Sequence, residues 1–210
     1  AVSLAAGLAR QGQRVLIVDV DTQGQVSRSL GLKPTVGLGE LALGEASQAQ
    51  AILPARENLW LLGGGRSLAG LKMLINRKEY AGEQTLAEAL APLDGEYDYA
   101  ILDTPPGWDT LTINALFYAD EVLAPVSLEV LTLQGLLDFS QNLSAIQRFR
   151  PSLELRYVLP TFFDRRVRKS LEIQELLQAH YAAQLCEPVR YNVRLSEAPA
   201  RTGRSLAERP

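Results

Sequence analysis

The chain has 210 residues, 47% hydrophobic and 21% charged, with a formal net charge of −3, which fits one soluble α/β domain of ordinary size with a sizeable core. The single cysteine, Cys186, excludes an internal disulfide framework or a cysteine metal cluster and suits a reducing compartment; no apolar run approaches the length of a bilayer span, and nothing at the start resembles a signal peptide. Charge is uneven: residues 1–147 hold nine Lys/Arg against 17 Asp/Glu, and 148–210 hold twelve against seven, so a basic end follows an acidic body, either a polyanion contact or a solvated charged face.

Residues 1–11 (AVSLAAGLARQ) have an apolar face at Val2, Leu4, Ala5 and Leu8 and predict a helix stopped at Gly12. It starts without a cap or a preceding strand. Residues 15–18 (VLIV) predict a buried strand. This strand runs into two acids, Asp19 and Asp21, and the turn Thr22-Gln23-Gly24. A short helix is expected around 26–30, then helices at 39–43 and 47–52, a strand at 58–62 (NLWLL) and a flexible Gly63-Gly64-Gly65 turn. That glycine run lacks the Lys-Ser/Thr of a phosphate loop. Amphipathic helices are predicted at 68–76 and 83–90, the second leading into a buried, central strand at 99–102 (YAIL).

That strand also ends on an acid, Asp103, followed by Thr104-Pro105-Pro106-Gly107, where two prolines and a glycine stop the ladder. An acid at the carboxyl end of a buried strand sits where open α/β sheets place their ligands, and it can hold Mg²⁺ through water. An ordinary strand end with a solvated acid is the competing reading. Two such strands together suggest a sheet edge prepared for a cation and a polyanion. Helices at 110–118, 131–149 and 169–181 alternate with strands at 121–126, 155–160 and 188–193, with a loop at 161–165. The lone His180 lies in a polar helical stretch and reads as a surface or packing residue. Strands alternating with helices predict an α/β fold: a doubly wound, mainly parallel sheet with helices on both faces and right-handed crossovers.

These motifs resemble the ParA/Soj partition ATPases, within the deviant-Walker P-loop group that includes MinD. LIVDVDTQGQ is similar to the family's A′ motif, ILDTPPG to its Walker B and switch II segment, and LTINAL to the helix start that follows. RYNVRLSEAP at 190–199 resembles the IPRNVRLSEAP segment of chromosomal Soj-type proteins and is the most specific match. The resemblance runs nearly end to end, as one domain over 1–210. It implies that Asp21 orients the attacking water and the metal's water shell, and that Asp103 binds Mg²⁺ through water. Asp19 is then a strand-end partner near the nucleotide. Gln23 belongs with the A′ turn, and Thr104, Pro105, Pro106 and Gly107 form the switch that senses the γ-phosphate. Thr161, Asp164, Pro188, Arg190 and Asn192 lie near the adenine. Phosphoryl transfer needs an aligned water, Mg²⁺ and positive charge on the phosphates; the strand-tip acids supply the first two.

The family's KGGVGKTT segment, with its N–H cradle, phosphate lysine and Mg²⁺-binding threonine, would precede the first helix and is not among these residues. Relatives also continue past the SEAP motif. The chain is either an incomplete record of a normal ATPase or a variant without the loop, and an uncapped helix and a sheet short of a central strand favour the first. The 210 residues alone are expected not to hydrolyse ATP. The resemblance further implies a cytoplasmic, nucleoid-associated protein that forms a homodimer with ATP, binds DNA without sequence preference and works with a ParB-like partner. Arg165, Arg166, Arg168 and Lys169 form one basic cluster for DNA, and Arg190, Arg194, Arg201 and Arg204 another. The alternatives are a MinD-like or other cargo-positioning ATPase and a non-catalytic interaction module. RTGRSLAERP is too short and too polar for a MinD-type membrane helix, so no membrane contact is expected.

Overall fold

The computed structural model describes residues 1–128 and 130–192. The described strands form two sheets, in two compact units spanning residues 1–118 and, among the described residues, 119–192.

In the first unit, β1 (Val15–Asp19) lies between β3 (Leu59–Leu62) and β4 (Tyr99–Asp103) and is parallel to both. β2 (Ile52–Arg56) pairs antiparallel with β3, giving the order β2-β3-β1-β4. Every residue of β1 is buried, because both faces are covered. The period of two in a strand sorts them. Val15 and Ile17 pack with Leu59 and Leu61 against Ala5, Ala6 and Ala9 of α1 (Val2–Arg10) and Val26 and Leu30 of α2 (Gln25–Leu30). Leu16 and Val18 face the other way, with Leu62, onto a larger core. That core holds Leu38 of α3 (Leu38–Ala42), Ala51 of α4 (Gln48–Ala51), and Leu68, Leu71 and Ile75 of α5 (Leu68–Arg77). Leu86 and Leu90 of α6 (Thr85–Leu90) and Leu111 and Ala115 of α7 (Thr110–Tyr118) complete it. The expected helices on both faces of a mainly parallel sheet are present.

Three local expectations differ. The helix expected at 47–52 ends at Ala51, and Ile52 instead opens β2, which starts directly after α4 with no loop. β4, expected to be buried and central, is the last strand of its sheet. Tyr99 is exposed and residues 101–103 are half-buried, since an unpaired side leaves backbone and side chains uncovered. Residues 188–192 form no strand; Arg190 makes only an isolated bridge to Phe163.

The second unit holds a parallel pair, β5 (Glu121–Ser127) and β6 (Glu154–Thr161). Ala124, Val126 and Val158 pack against Leu136 of α8 (Val130–Gln147) and Ile173 and Leu177 of α9 (Arg168–Tyr181). Among the described residues no helix is long and apolar enough to cross a membrane.

Candidate active site

Parallel pairing sets β1 and β4 in a register that aligns Asp19 with Asp103. Adjacent strands lie about 4.8 Å apart, so two acids far apart in sequence end side by side at one sheet edge. The backbone closes the join, with Val20 N–H donating to the Asp103 carbonyl at 2.9 Å.

The three carboxylates have different surroundings. Asp19 is fully buried. Its Oδ1 accepts the Asp21 N–H at 3.1 Å and its Oδ2 the Val26 N–H at 3.2 Å. Burial pushes its pKa up to about 6, opposed by those two N–H groups and reinforced by the charges of Asp103 and Asp21. Both oxygens therefore face the protein, and Asp19, expected as a strand-end partner, braces the turn that carries Asp21. Asp21, beyond the strand, is half-buried, and its Oδ1 accepts the Gln23 N–H at 2.9 Å. Asp103 is half-buried; burial raises its pKa, and the charge of Asp21 raises it further.

The glycine run that read as a flexible turn instead packs tightly. A Cβ on Gly64 would lie 2.5 Å from the Asp19 carbonyl oxygen and 2.7 Å from that of Asp21, closer than any side chain tolerates. Gly65 N–H donates to the Asp21 carbonyl at 3.1 Å, as does Gly24 N–H. Gly24 has φ +60, the left-handed region that glycine reaches without strain. The acidic turn is thus clamped from β1, α2 and the segment after β3. A glycine triplet in sequence marks only conformational freedom, so the contact was not legible there.

Thr104, Pro105, Pro106 and Gly107 form the irregular segment after β4, with Gly107 at φ +110. Its far end is pinned by Asp109. Asp109 caps α7 by accepting the Thr112 N–H at 2.9 Å and pairs with Lys72 of α5 at 2.7 Å. Burial opposes its ionisation, but Lys72 and the Thr112 donors together hold its carboxyl below the usual range. Asn114, fully buried, accepts the Leu86 N–H at 3.1 Å and donates to the Thr110 carbonyl at 3.0 Å, fixing α7 to α6. The sequence reading gave Asp109 and Lys72 no role, although a lone acid two residues after Pro-Pro-Gly and just before a helix is a capping signal.

In the second unit the two segments expected near the adenine meet. Val189 N–H donates to the Pro160 carbonyl at 2.8 Å, Phe163 N–H to the Val189 carbonyl at 3.0 Å, and Tyr191 N–H to the Phe163 carbonyl at 3.0 Å. Thr161 ends β6, and Pro188 and Asn192 flank this ladder. The exposed rings of Phe162 and Tyr191 stand 6.3 Å apart beside a recess of about 220 Å³ lined by Arg165, Arg166 and Arg190. Asp164 is occupied locally: it accepts from Arg166 Nη2 at 2.7 Å and Nε at 3.0 Å, and Arg166 holds its pKa down to about 2. Arg168 pairs with Glu172 at 3.0 Å. Arg165, Lys169 and Arg190 are exposed and make no ion pair among the described residues. Arg194, Arg201 and Arg204 lie outside the described residues.

Among the described residues no three His, Cys, Asp or Glu side chains gather as a metal cage. Asp103 and Asp21 fit a different kind of metal: Mg²⁺ keeps most of its waters and takes one or two carboxylates plus phosphate oxygens. The Asp103 carboxyl, raised by burial and by Asp21, is the group such a cation would relieve.

The family described as "AAA domain" matches residues 1–155. The chromosome-partitioning ATPase Soj of Thermus thermophilus is 35% identical over 211 residues, spanning 99% of this chain and 81% of its own. The chain belongs to the ParA/Soj family of P-loop ATPases. The chromosome partitioning protein ParA of Myxococcus xanthus is 35% identical over 207 residues, 95% of this chain and 72% of its own. Cobyrinic acid a,c-diamide synthase from Mycobacterium smegmatis, solved with ADP and magnesium, shares the fold. Its TM-score is 0.82 at 33% identity, covering 94% of this chain and 82% of that one.

Proposed function

We propose that the chain is the body of a ParA-type partition ATPase, in which Asp21 and Asp103 serve one Mg²⁺–ATP site. The observation that carries this is the register of β1 on β4, which brings the Asp19–Asp21 turn beside Asp103, with the Asp21 charge felt at the Asp103 carboxyl. When bound, Mg²⁺ would neutralise charge on the phosphate oxygens. Asp103 holds the metal's water shell. Asp21, set by Asp19 behind it, accepts a hydrogen bond from the water that attacks the γ-phosphate. Thr104–Gly107 follow the γ-phosphate, and the Asp109–Lys72 pair anchors the far end of that switch. The other unit, taken by itself, presents the exposed rings of Phe162 and Tyr191 beside the paired strips around Phe163 and Val189, a surface suited to an aromatic base.

The 210 residues contain no GKT/S run, so this stretch alone supplies no phosphate lysine, and it does not turn over ATP. The protein as encoded by its gene hydrolyses ATP, dimerises when ATP is bound, and then holds DNA through phosphate contacts. Arg165, Lys169 and Arg190 contribute to these, with Arg194, Arg201 and Arg204. A ParB-like partner and association with the nucleoid follow from the same reading. Turnover assays on the 210-residue chain beside the native gene product test the first part: hydrolysis by the short chain would refute it. A filter-binding salt titration tests the second. Three or more phosphate contacts predict a fall in affinity of roughly tenfold or more between 50 and 200 mM salt, and salt-independent binding would refute it.

A further inference from the structure

On the outer side of the acidic turn lies an open cavity of about 810 Å³. Three cations from separate segments line it: Arg28 on α2, Lys33 in the loop after α2, and Arg66 after the glycine run. No acid lines it. Elsewhere in this unit cations sit on acids: Arg14 on Asp98, Lys72 on Asp109 and Lys78 on Glu88. Among the described residues, Arg28, Lys33 and Arg66 make no ion pair and no side-chain hydrogen bond, and all three are exposed. They converge although residues 1–147 carry nine Lys/Arg against 17 Asp/Glu. Three like charges around one concavity repel one another, and a bound anion relieves that repulsion. Gly24, Gly31, Gly64 and Gly65 are among the lining residues and leave room for close approach.

We propose that this cavity binds a phosphate-bearing small molecule, at a site separate from the one built on Asp21 and Asp103. Two guanidinium forks and one ammonium match phosphate oxygens in geometry and charge. The volume lies in the range of sites that hold a mononucleotide, roughly 300–1,000 Å³. Thr22 to Gly24 line the cavity and also complete the turn that carries Asp21. A bound anion therefore rests directly on that turn.

The test is calorimetric titration of the full 210-residue chain, in EDTA, with inorganic phosphate, pyrophosphate and AMP in turn. Without a divalent metal, Asp21 and Asp103 repel these anions, so binding reports on the cationic cavity. The expected result is saturable binding of pyrophosphate and AMP that weakens with salt. It falls at least about tenfold in the Arg28→Gln/Lys33→Gln/Arg66→Gln variant and is kept by Asp103→Asn. Equal affinity for phosphate and AMP would mean that the phosphate group alone is read, and tighter AMP that the base adds contacts; both support the site. The single variant Arg66→Gln, with an unchanged unfolding midpoint, serves if the triple variant does not fold, and is expected to weaken binding several-fold. Three results would overturn the proposal: no binding of any of the three anions at millimolar concentration, undiminished binding by a folded variant, or binding of duplex DNA at these residues that the small anions do not displace. None of them bears on Mg²⁺-dependent turnover, so this proposal and the partition-ATPase reading fail separately.

Discussion

Asp19 and Asp164 make an instructive pair. Each lies at or just beyond the end of a parallel strand, one in each unit, and their environments drive them in opposite directions. Asp19 is sealed between β1 and α2, and burial lifts its pKa to about 6. Asp164 sits in an exposed turn, where Arg166 holds it down to about 2. Strand-end position fixes neither charge nor role: what surrounds the carboxylate does. The buried acid is a brace whose substitution should disturb the fold, and the half-buried one is a local clamp on an arginine.

The largest break in this contrast comes from Asp19→Ala. It removes the acceptor for two N–H groups, and it should cost about 2–4 kcal/mol in urea unfolding. Asp164→Ala removes a solvent-screened pair and should lower the midpoint much less. Next is Gly64→Ala, which drives a methyl group into the carbonyls of Asp19 and Asp21. A loss of about 1–3 kcal/mol is expected, with chemical-shift changes concentrated at residues 19–24. A loss no larger than that of Gly7→Ala, where the added Cβ meets nothing, would mean that the acidic turn is not clamped. Lys72→Ala should cost less, about 0.5–1 kcal/mol, because the pair with Asp109 is partly exposed. It should also raise hydrogen exchange at the start of α7.

The smallest effect on stability, and the sharpest on charge, comes from carboxyl titration by NMR. Asp19 should titrate near 6 and Asp164 near 2, and Arg166→Gln should return Asp164 to the ordinary range without changing Asp19. The signs follow by linkage. Between the ordinary value and about 6, the folded protein binds more protons at Asp19 than the unfolded chain does. Its contribution therefore declines as pH rises through that window and is fully lost above it. Asp164 behaves in reverse: its contribution is complete above the ordinary carboxylate value and is lost as pH falls toward 2.

Much of this was legible in the sequence. Val15–Val18 between a Gly stop and two acids could only be a buried strand, and the amphipathic 68–76 and 169–181 runs fell within a residue or so of α5 and α9. DxD spacing showed that acids cluster but not which one turns inward. A strand would put Asp19 and Asp21 on the same face, yet the chain leaves β1 at Asp19, so the two diverge. β2 stayed hidden because Pro54 and the absence of a turn after α4 erase the usual strand signals. The clamp at Gly64 and the cavity of Arg28, Lys33 and Arg66 join segments more than thirty residues apart, which local patterns do not report.

The claim that most depends on this structure is that positions 21 and 103 serve one metal–nucleotide site. It is tested most directly by Mg²⁺-dependent ATP turnover of the native gene product carrying Asp21→Asn, Asp103→Asn or, as a control, the exposed Asp98→Asn. Each of the first two should lower turnover by about a hundredfold or more, with Asp103→Asn also raising the Mg²⁺ concentration needed for half-maximal rate, while the control stays near the parent. Turnover by either variant at the parental rate and metal requirement would contradict the account.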